Sequence, residues 1–180
     1  MSALAESSPP GLVPPSSPQG RSGFLADVIV ELDLADRDAV DEASQEARLQ
    51  GATLAAVLVQ KGVLDEHEVA RAVAERHGLG MVDLEAFPVD SEAGALVGRA
   101  TARRYGVLPA GFAPDGSLLL AMADPGNSLA RNDVAVMTKL EVTPVIAPRT
   151  QIEAALEQLP ETSVLTADPS EDSEGAAGAM

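Results

Sequence analysis

Two histidines, one proline-glycine turn and one knot of arginines are the residues of this 180-residue chain whose types suit chemistry. His67 and His77 lie ten positions apart, too far to share a metal from one helix face, where neighbours sit three or four apart. The chain has no cysteine, so thiolate metal sites and disulfides are excluded, and no metal ligand set is expected. Neither histidine stands in a recognisable nucleophile-and-base pattern. His67 reads as an exposed residue in the first turn of a helix, and His77 as its last-turn residue, where a cation suits the helix dipole. The stretch "ADPGN" at residues 123–127 has the form of a phosphate-binding turn ahead of a helix N-terminus. It lacks basic neighbours in sequence, so it reads instead as punctuation between a strand and a helix. No G-x-x-x-x-G-K-[ST] occurs, so the phosphate-cradling loop of a nucleotide motor is missing. No catalytic residue is assigned, and the chain is expected not to be an enzyme. Arg99, Arg103 and Arg104 form the dense basic cluster. They read as charge complement at a helix C-terminus or as salt-bridging residues, and alternatively as a docking patch for an acidic partner.

The elements that must position these residues follow from composition and periodicity. Apolar residues make up 46% of the chain and aromatic ones 2%, so the core is built from Ala, Val and Leu and offers few stacking surfaces. The net charge of -16 opposes approach to a nucleic-acid backbone or an anionic membrane. The longest apolar runs, such as "LLLAMA", are too short to span a bilayer, and no secretory signal opens the chain. These features predict a cytoplasmic protein that inserts in no membrane and binds no nucleic acid. Residues 1–22, rich in Pro and Ser, and residues 160–180, acidic and small, are expected to be disordered tails, the second serving also as a linker.

Between the tails the pattern changes once. Residues 23–80 follow a helical period, with Leu25, Val28, Ile29 and Leu32 on one face and Leu54, Val57 and Leu58 on another. Gly62 and Gly78 suit helix ends, and Asp65 with Glu68 has the form of a capping box. The expected inner face of that last helix is Val69, Ala72, Val73 and Arg76. Asp36 caps its counterpart, whose inner face is Val40, Ala43 and Ser44. Residues 81–159 mix strands and helices: a strand at "MVDL", a helix capped by Asp90, and a hairpin of "VLPAGF" and "SLLLAMA" around "APDG". A helix capped by Asn127 or Ser128, a strand in "EVTPVIA" and a closing helix in "TQIEAALEQL" complete it. The fold class is α+β, a lobe of two repeated helical hairpins followed by a small α/β lobe.

The helical half is a duplication. With a constant offset of 29 and no gap, eight of 23 pairs are identical, among them Leu25/Leu54, Val28/Val57, Asp36/Asp65 and Val40/Val69. Because the match includes both caps, it exceeds what two unrelated Ala/Val/Leu helix pairs would share. The second copy, followed by "GLGMVDL", "ARRYGVLPAG", "LLLAMADP" and "VTPVIAPRTQIEAAL", resembles the N-terminal domain of type II secretion and type IV pilus assembly ATPases. The resemblance covers roughly residues 24–159. It implies a two-lobed, non-catalytic module that docks a motor to the cytoplasmic face of an envelope machine, or to regulators, through contacts with a protein partner. A stand-alone regulatory adaptor is an alternative. In some members each repeat follows R-L-G-x-x-L-x-x-x-G-x-x-x-x-x-x-L-x-x-x-L-x-x-Q, and the pair binds cyclic di-GMP. Here Leu54, Leu58 and Gly62 match in the second copy, but the Arg, first Gly and Gln positions hold Thr53, Ala55 and Arg76. In the first copy Leu25 matches and Ile29 is conservative, while Phe24, Ala26, Asp33 and Ala47 stand at the polar positions. The packing pattern survives and the ligand chemistry is depleted, so cyclic di-GMP is a disfavoured ligand and no other cofactor is expected.

Overall fold

The computed structural model describes residues 9–159. Among these residues, eight helices and a five-stranded sheet make an α+β fold in which the helical duplication is visible bond by bond. Helices α1 (Leu25–Glu31) and α3 (Leu54–Gln60) are both seven residues long and begin 29 positions apart. So do α2 (Arg37–Gln50) and α4 (Glu66–His77). Each short helix ends in the same turn. Leu34 N–H donates to Ile29 O at 3.1 Å and Val63 N–H to Leu58 O at 3.0 Å, the six-residue closure of a left-handed helix stop. The residue in the left-handed position is Gly62 (φ 68°) in one copy and Asp33 (φ 59°) in the other.

That difference has an energetic consequence, because a side chain in the left-handed region costs free energy that glycine avoids. Asp33→Gly is expected to raise stability by about 0.5–1 kcal/mol, less than the full conformational cost because glycine also loosens the unfolded chain. A urea midpoint that falls in this variant would mean that the Asp33 side chain stabilises the turn more than its backbone strains it.

The caps at the second helices differ between copies. Asp65 accepts from Glu68 N–H at 2.8 Å while Glu68 accepts from Asp65 N–H at 2.9 Å, a closed capping box. Asp36 stands at the N-cap of α2 without a side-chain cap bond. Thr53 caps α3, its Oγ1 accepting from Ala56 N–H. The four helices close over Val28, Ile29, Val40, Ala43, Val57, Leu58, Leu64 and Ala72, all buried. Lys61 adds a surface clamp between copies, reaching Glu42 at 2.8 Å and Glu46 at 3.0 Å. Those bonds hold its ammonium above its ordinary pKa and the Glu42 carboxyl below its own.

The second apolar cluster surrounds a sheet of β1 (Leu12–Val13), β2 (Gly80–Val82), β3 (Val107–Phe112), β4 (Leu118–Met122) and β5 (Val142–Ile146), in the order β1-β2-β5-β4-β3. Strands β2, β5 and β4 are parallel, and β1 and β3 run antiparallel at the edges. The β3–β4 hairpin turns at Gly116 (φ 85°), with Asp115 accepting from Ser117 N–H at 2.9 Å. Helices α5 (Ser91–Ala95) and α6 (Arg99–Tyr105) lead into β3, α7 (Ser128–Thr138) joins β4 to β5, and α8 (Arg149–Gln158) closes the described chain. Asp90 and Asn127 cap α5 and α7 as their sequences require.

Helix α4 serves both clusters. Ala72 packs into the helical lobe, while Ala70 and Ala74 pack against the sheet. The expected single inner face was therefore too narrow: Ala70, Ala74 and Glu75 are buried, and Val69, Val73 and Arg76 only partly so.

The expectation of a disordered tail over residues 1–22 is corrected from Pro9 onward. Pro9–Ser22 forms a strap across the fold. β1 pairs with β2, Asp83 N–H donates to Gly11 O at 2.8 Å, and Arg21 N–H donates to Glu75 O and Arg76 O at 3.2 and 3.1 Å. Ser16 donates both N–H and Oγ–H to Glu75 Oε1, at 3.0 and 2.8 Å. Low apolar content misled the sequence reading because this segment is held by backbone and carboxylate hydrogen bonds. Its prolines reduce the entropy lost on ordering. Residues 1–8, and the acidic tail expected over 160–180, lie outside the described residues.

Candidate functional site

The two lobes are latched at one end by the first turns of α4 and α8. Gln151, buried, donates from Nε2 to Asp83 Oδ1 at 2.9 Å and accepts from Leu84 N–H at 2.9 Å, and its Nε2 lies 3.1 Å from His67 Nε2. Thr150 N–H and Oγ–H donate to Glu66 Oε2. His67 thus helps join lobes while remaining exposed. Nothing in local sequence marked Gln151 or Glu66, whose roles depend on partners 84 positions away.

Between the lobes runs a groove of about 770 Å3. Its helical wall carries Leu25 from α1, Thr53 at the N-cap of α3, Val59 from α3, and Val73 and Arg76 from α4. Its opposite wall is formed by Ala123–Pro125 after β4 and Ala147–Arg149 after β5. The interior is mostly aliphatic and proline; charge stands at Arg76, Arg149, Glu66 and Asp124. Arg76 Nε donates to Gly23 O at 3.2 Å, tying it to the strap's end. Partial burial and the neighbouring Arg76 hold the His77 imidazole below its ordinary pKa, with Asp124 opposing.

Of the motif positions singled out in the sequence, Leu25, Thr53, Ala55 and Arg76 converge on this groove. Ile29 and Leu58 are core residues at 0% exposure, Leu54 is half-buried, and Gly62 sits in an exposed turn. Phe24 is 77% exposed at the start of α1. Thr53 Oγ1 accepts from Ala56 N–H of its own helix, which occupies one acceptor position and leaves its O–H as a donor.

The arginine cluster divides. Arg103 pairs with Glu157 at 3.6 Å between exposed side chains, a contact worth little. Arg103 and Arg104 line a second cleft of about 430 Å3 together with Arg149, Tyr105, Gly106, Asp124 and Asn127. Arg99, at the first position of α6, has its own contacts and is not among the lining residues. Tyr105 OH donates to Asp133 Oδ2, joining α6 to α7, and this bond raises the phenol's pKa. The turn at 123–127 was expected to lack basic partners. That expectation is corrected: the fold brings Arg104 and Arg149 to it from positions distant in sequence.

The profile of the MshEN domain matches residues 77–171, just over half of the chain. The chain belongs to the MshEN domain family. It is homologous to the N-terminal domains of type IV pilus and type II secretion ATPases. It is 27% identical over 137 residues to the type IV pilus assembly ATPase PilB of Myxococcus xanthus, covering 76% of this chain and 24% of that protein. To PilB of Thermus thermophilus it is 38% identical over 114 residues, covering 62% and 13%. The chain therefore spans about a quarter or less of the length of these relatives. Among solved structures it is similar to MshE with cdg, at a TM-score of 0.65 and 26% identity, covering 76% of this chain and 98% of that one. It is also similar to the N-terminal domain of XpsE, at 0.55 and 26%, covering 75% and 92%. The MshEN match begins at the last residue of α4, so the α/β lobe carries the family's profile. The helical duplication with its depleted polar positions precedes it. No helix among the described residues is long and apolar enough to cross a membrane.

Proposed function

We propose that this MshEN domain is a non-catalytic docking module of a pilus-assembly or secretion ATPase, working at the inner face of the membrane through protein contacts. The observation that carries this reading is the interlobe groove. It is lined for the larger part by aliphatic residues and proline, among them Leu25, Val59, Val73, Pro125 and Pro148, with Thr53, Gln60, Glu66, Arg76, His77, Asp124 and Arg149 as its polar side chains. A predominantly apolar cleft between two latched lobes suits an apolar helix or extended segment of a partner. The relatives PilB, MshE and XpsE supply the machine class. The sequence has no phosphate loop for turnover of its own.

A photo-reactive residue in place of Ala56, which lines the groove, tests this in cells that contain the machine. The expected product is a covalent adduct with a component of a pilus-assembly or secretion machine, absent when the probe replaces exposed Gln45 on α2. Equal adducts from both positions, or none from either, would contradict docking through the groove.

One observation favours a second reading. Leu25, Thr53 and Arg76, all positions of the cyclic di-GMP pattern, face one cavity large enough for a dinucleotide, and the relative MshE has been solved with cdg. Against it stands the loss of the repeat-opening arginines to Phe24 and Thr53, which removes two charged donors.

A further inference from the structure

We propose that residues 162–167 of this chain dock in a groove alongside α8, with Val164 and Leu165 as the anchors. The groove holds about 780 Å3 between the loop that follows β2 and one face of α8. Leu84, Phe87 and Val89 give its apolar surface on the loop side, and Ala154, Ala155 and Leu159 on the helix side. Side chains as short as alanine leave α8 a shallow channel there rather than a ridge. Ser91, Gln158 and the latch residues Thr150 and Gln151 are its uncharged polar lining. Glu85 is the one charged residue among those that line it, so it suits an uncharged aliphatic segment and repels an acidic one. It shares no lining residue with the interlobe groove, so its occupant is independent of what docks between the lobes.

Three observations point to the chain's own continuation as the occupant. First, the described chain ends at this groove. Leu159 lines it and packs against α5, where a Cβ on Gly94 would stand 2.8 Å from Leu159 Cδ2. There Leu159 has left the helix for an extended conformation (φ -67°, ψ 135°), which the proline at the next position favours. Second, the MshEN match does not stop with α8 but runs on to residue 171, so residues 160–171 carry part of the family's pattern. Third, the acids of the continuation avoid the docking segment, standing at Glu161 and from Asp168 onward. Five extended residues from Leu159 to Val164 reach ~17 Å, and the ten residues of α8 span ~15 Å. The two anchors can therefore seat anywhere along the helix. Two aliphatic side chains bury too little to hold a separate chain against the entropy of association. A segment already attached at the groove's mouth meets it at a millimolar effective concentration, which favours this occupant over a second copy.

Amide hydrogen exchange and amide chemical shifts of the full chain test the assignment. The amides of Val164, Leu165 and Thr166 should exchange about tenfold or more slowly than their sequence alone sets, since burying one valine or leucine side chain shifts an equilibrium by a decade or more. In Val164→Asp/Leu165→Asp that protection should vanish, and the signals of Leu84, Ala154 and Ala155 should move while that of Val73 in the interlobe groove stays. Both substitutions lie outside the two apolar clusters, so the fold itself is not at risk. Ala176→Asp/Ala177→Asp adds the same charge beyond the segment and should change neither readout. Exchange at unprotected rates in the unsubstituted chain would overturn the proposal, as would equal loss of protection in both double variants. Protection that disappears on dilution would also overturn it, because a second copy would then supply the segment.

Discussion

Val57→Asp is expected to unfold the helical lobe. Val57 is 1% exposed, its repeat partner Val28 is 0% exposed, and the pair belongs to the apolar cluster that α1–α4 share. An uncompensated buried charge costs about 3–5 kcal/mol, against a total stability of about 5–15 kcal/mol for a domain. The loss should not stop at the lobe boundary, because α4 gives Ala72 to the helical cluster and Ala70 and Ala74 to the sheet cluster. Hydrogen exchange should show protection lost through α1–α3, weakened in α4 and retained in β3–β5. A melting temperature equal to that of the unsubstituted chain would mean that Val57 faces solvent and that the duplicated packing has been misplaced.

Gly78→Ala should detach the strap. Gly78 sits in the left-handed region at φ 65°, and a Cβ there would lie 2.5 Å from Gly20 N and 2.6 Å from Pro18 O. Both are backbone atoms, so no rotamer change relieves the clash. Gly62 has nearly the same φ, 68°, yet nothing within 4 Å of its position. Gly62→Ala therefore measures backbone strain alone, about 1 kcal/mol. The excess cost of Gly78→Ala, about 1–2 kcal/mol more, measures the strap's crossing. Tryptic cleavage after Arg21 should accelerate in Gly78→Ala and not in Gly62→Ala. Identical cleavage rates in the two variants would show that the strap does not depend on this close passage.

What sequence made legible was local or periodic. The offset of 29, the Asp65–Glu68 capping box, the caps at Asp90 and Asn127 and the β3–β4 hairpin depend on residues a few positions apart, and each stands in the structure where its spacing puts it. Three features depend on contacts across the chain and left no local trace. The strap is ordered by hydrogen bonds from Ser16 and Arg21 to Glu75 and by the Gly20–Gly78 passage, while composition counts only apolar content. The lobe latch rests on Gln151, an ordinary polar residue until Asp83 and His67 reach it. The turn at 123–127 acquires its arginines only through folding. Glu75 could have been suspected, since its identity is shared with Glu46, but only its own copy is buried.

Whether the interlobe groove serves a protein contact or a dinucleotide is tested most directly by titrating cyclic di-GMP into the full chain by calorimetry at low salt. The groove offers Arg76, already bonded through Nε to Gly23 O, and Arg149, against Glu66 and Asp124. Two charged hydrogen-bonding partners of the repeat pattern are replaced by Phe24 and Thr53, each loss costing about 1.5–3 kcal/mol, or about two to four decades of affinity together. The acidic chain adds long-range repulsion of a dianion. Docking through the groove predicts no saturation at micromolar cyclic di-GMP. A submicromolar dissociation constant that collapses on Arg76→Ala would contradict it and make the groove a nucleotide sensor.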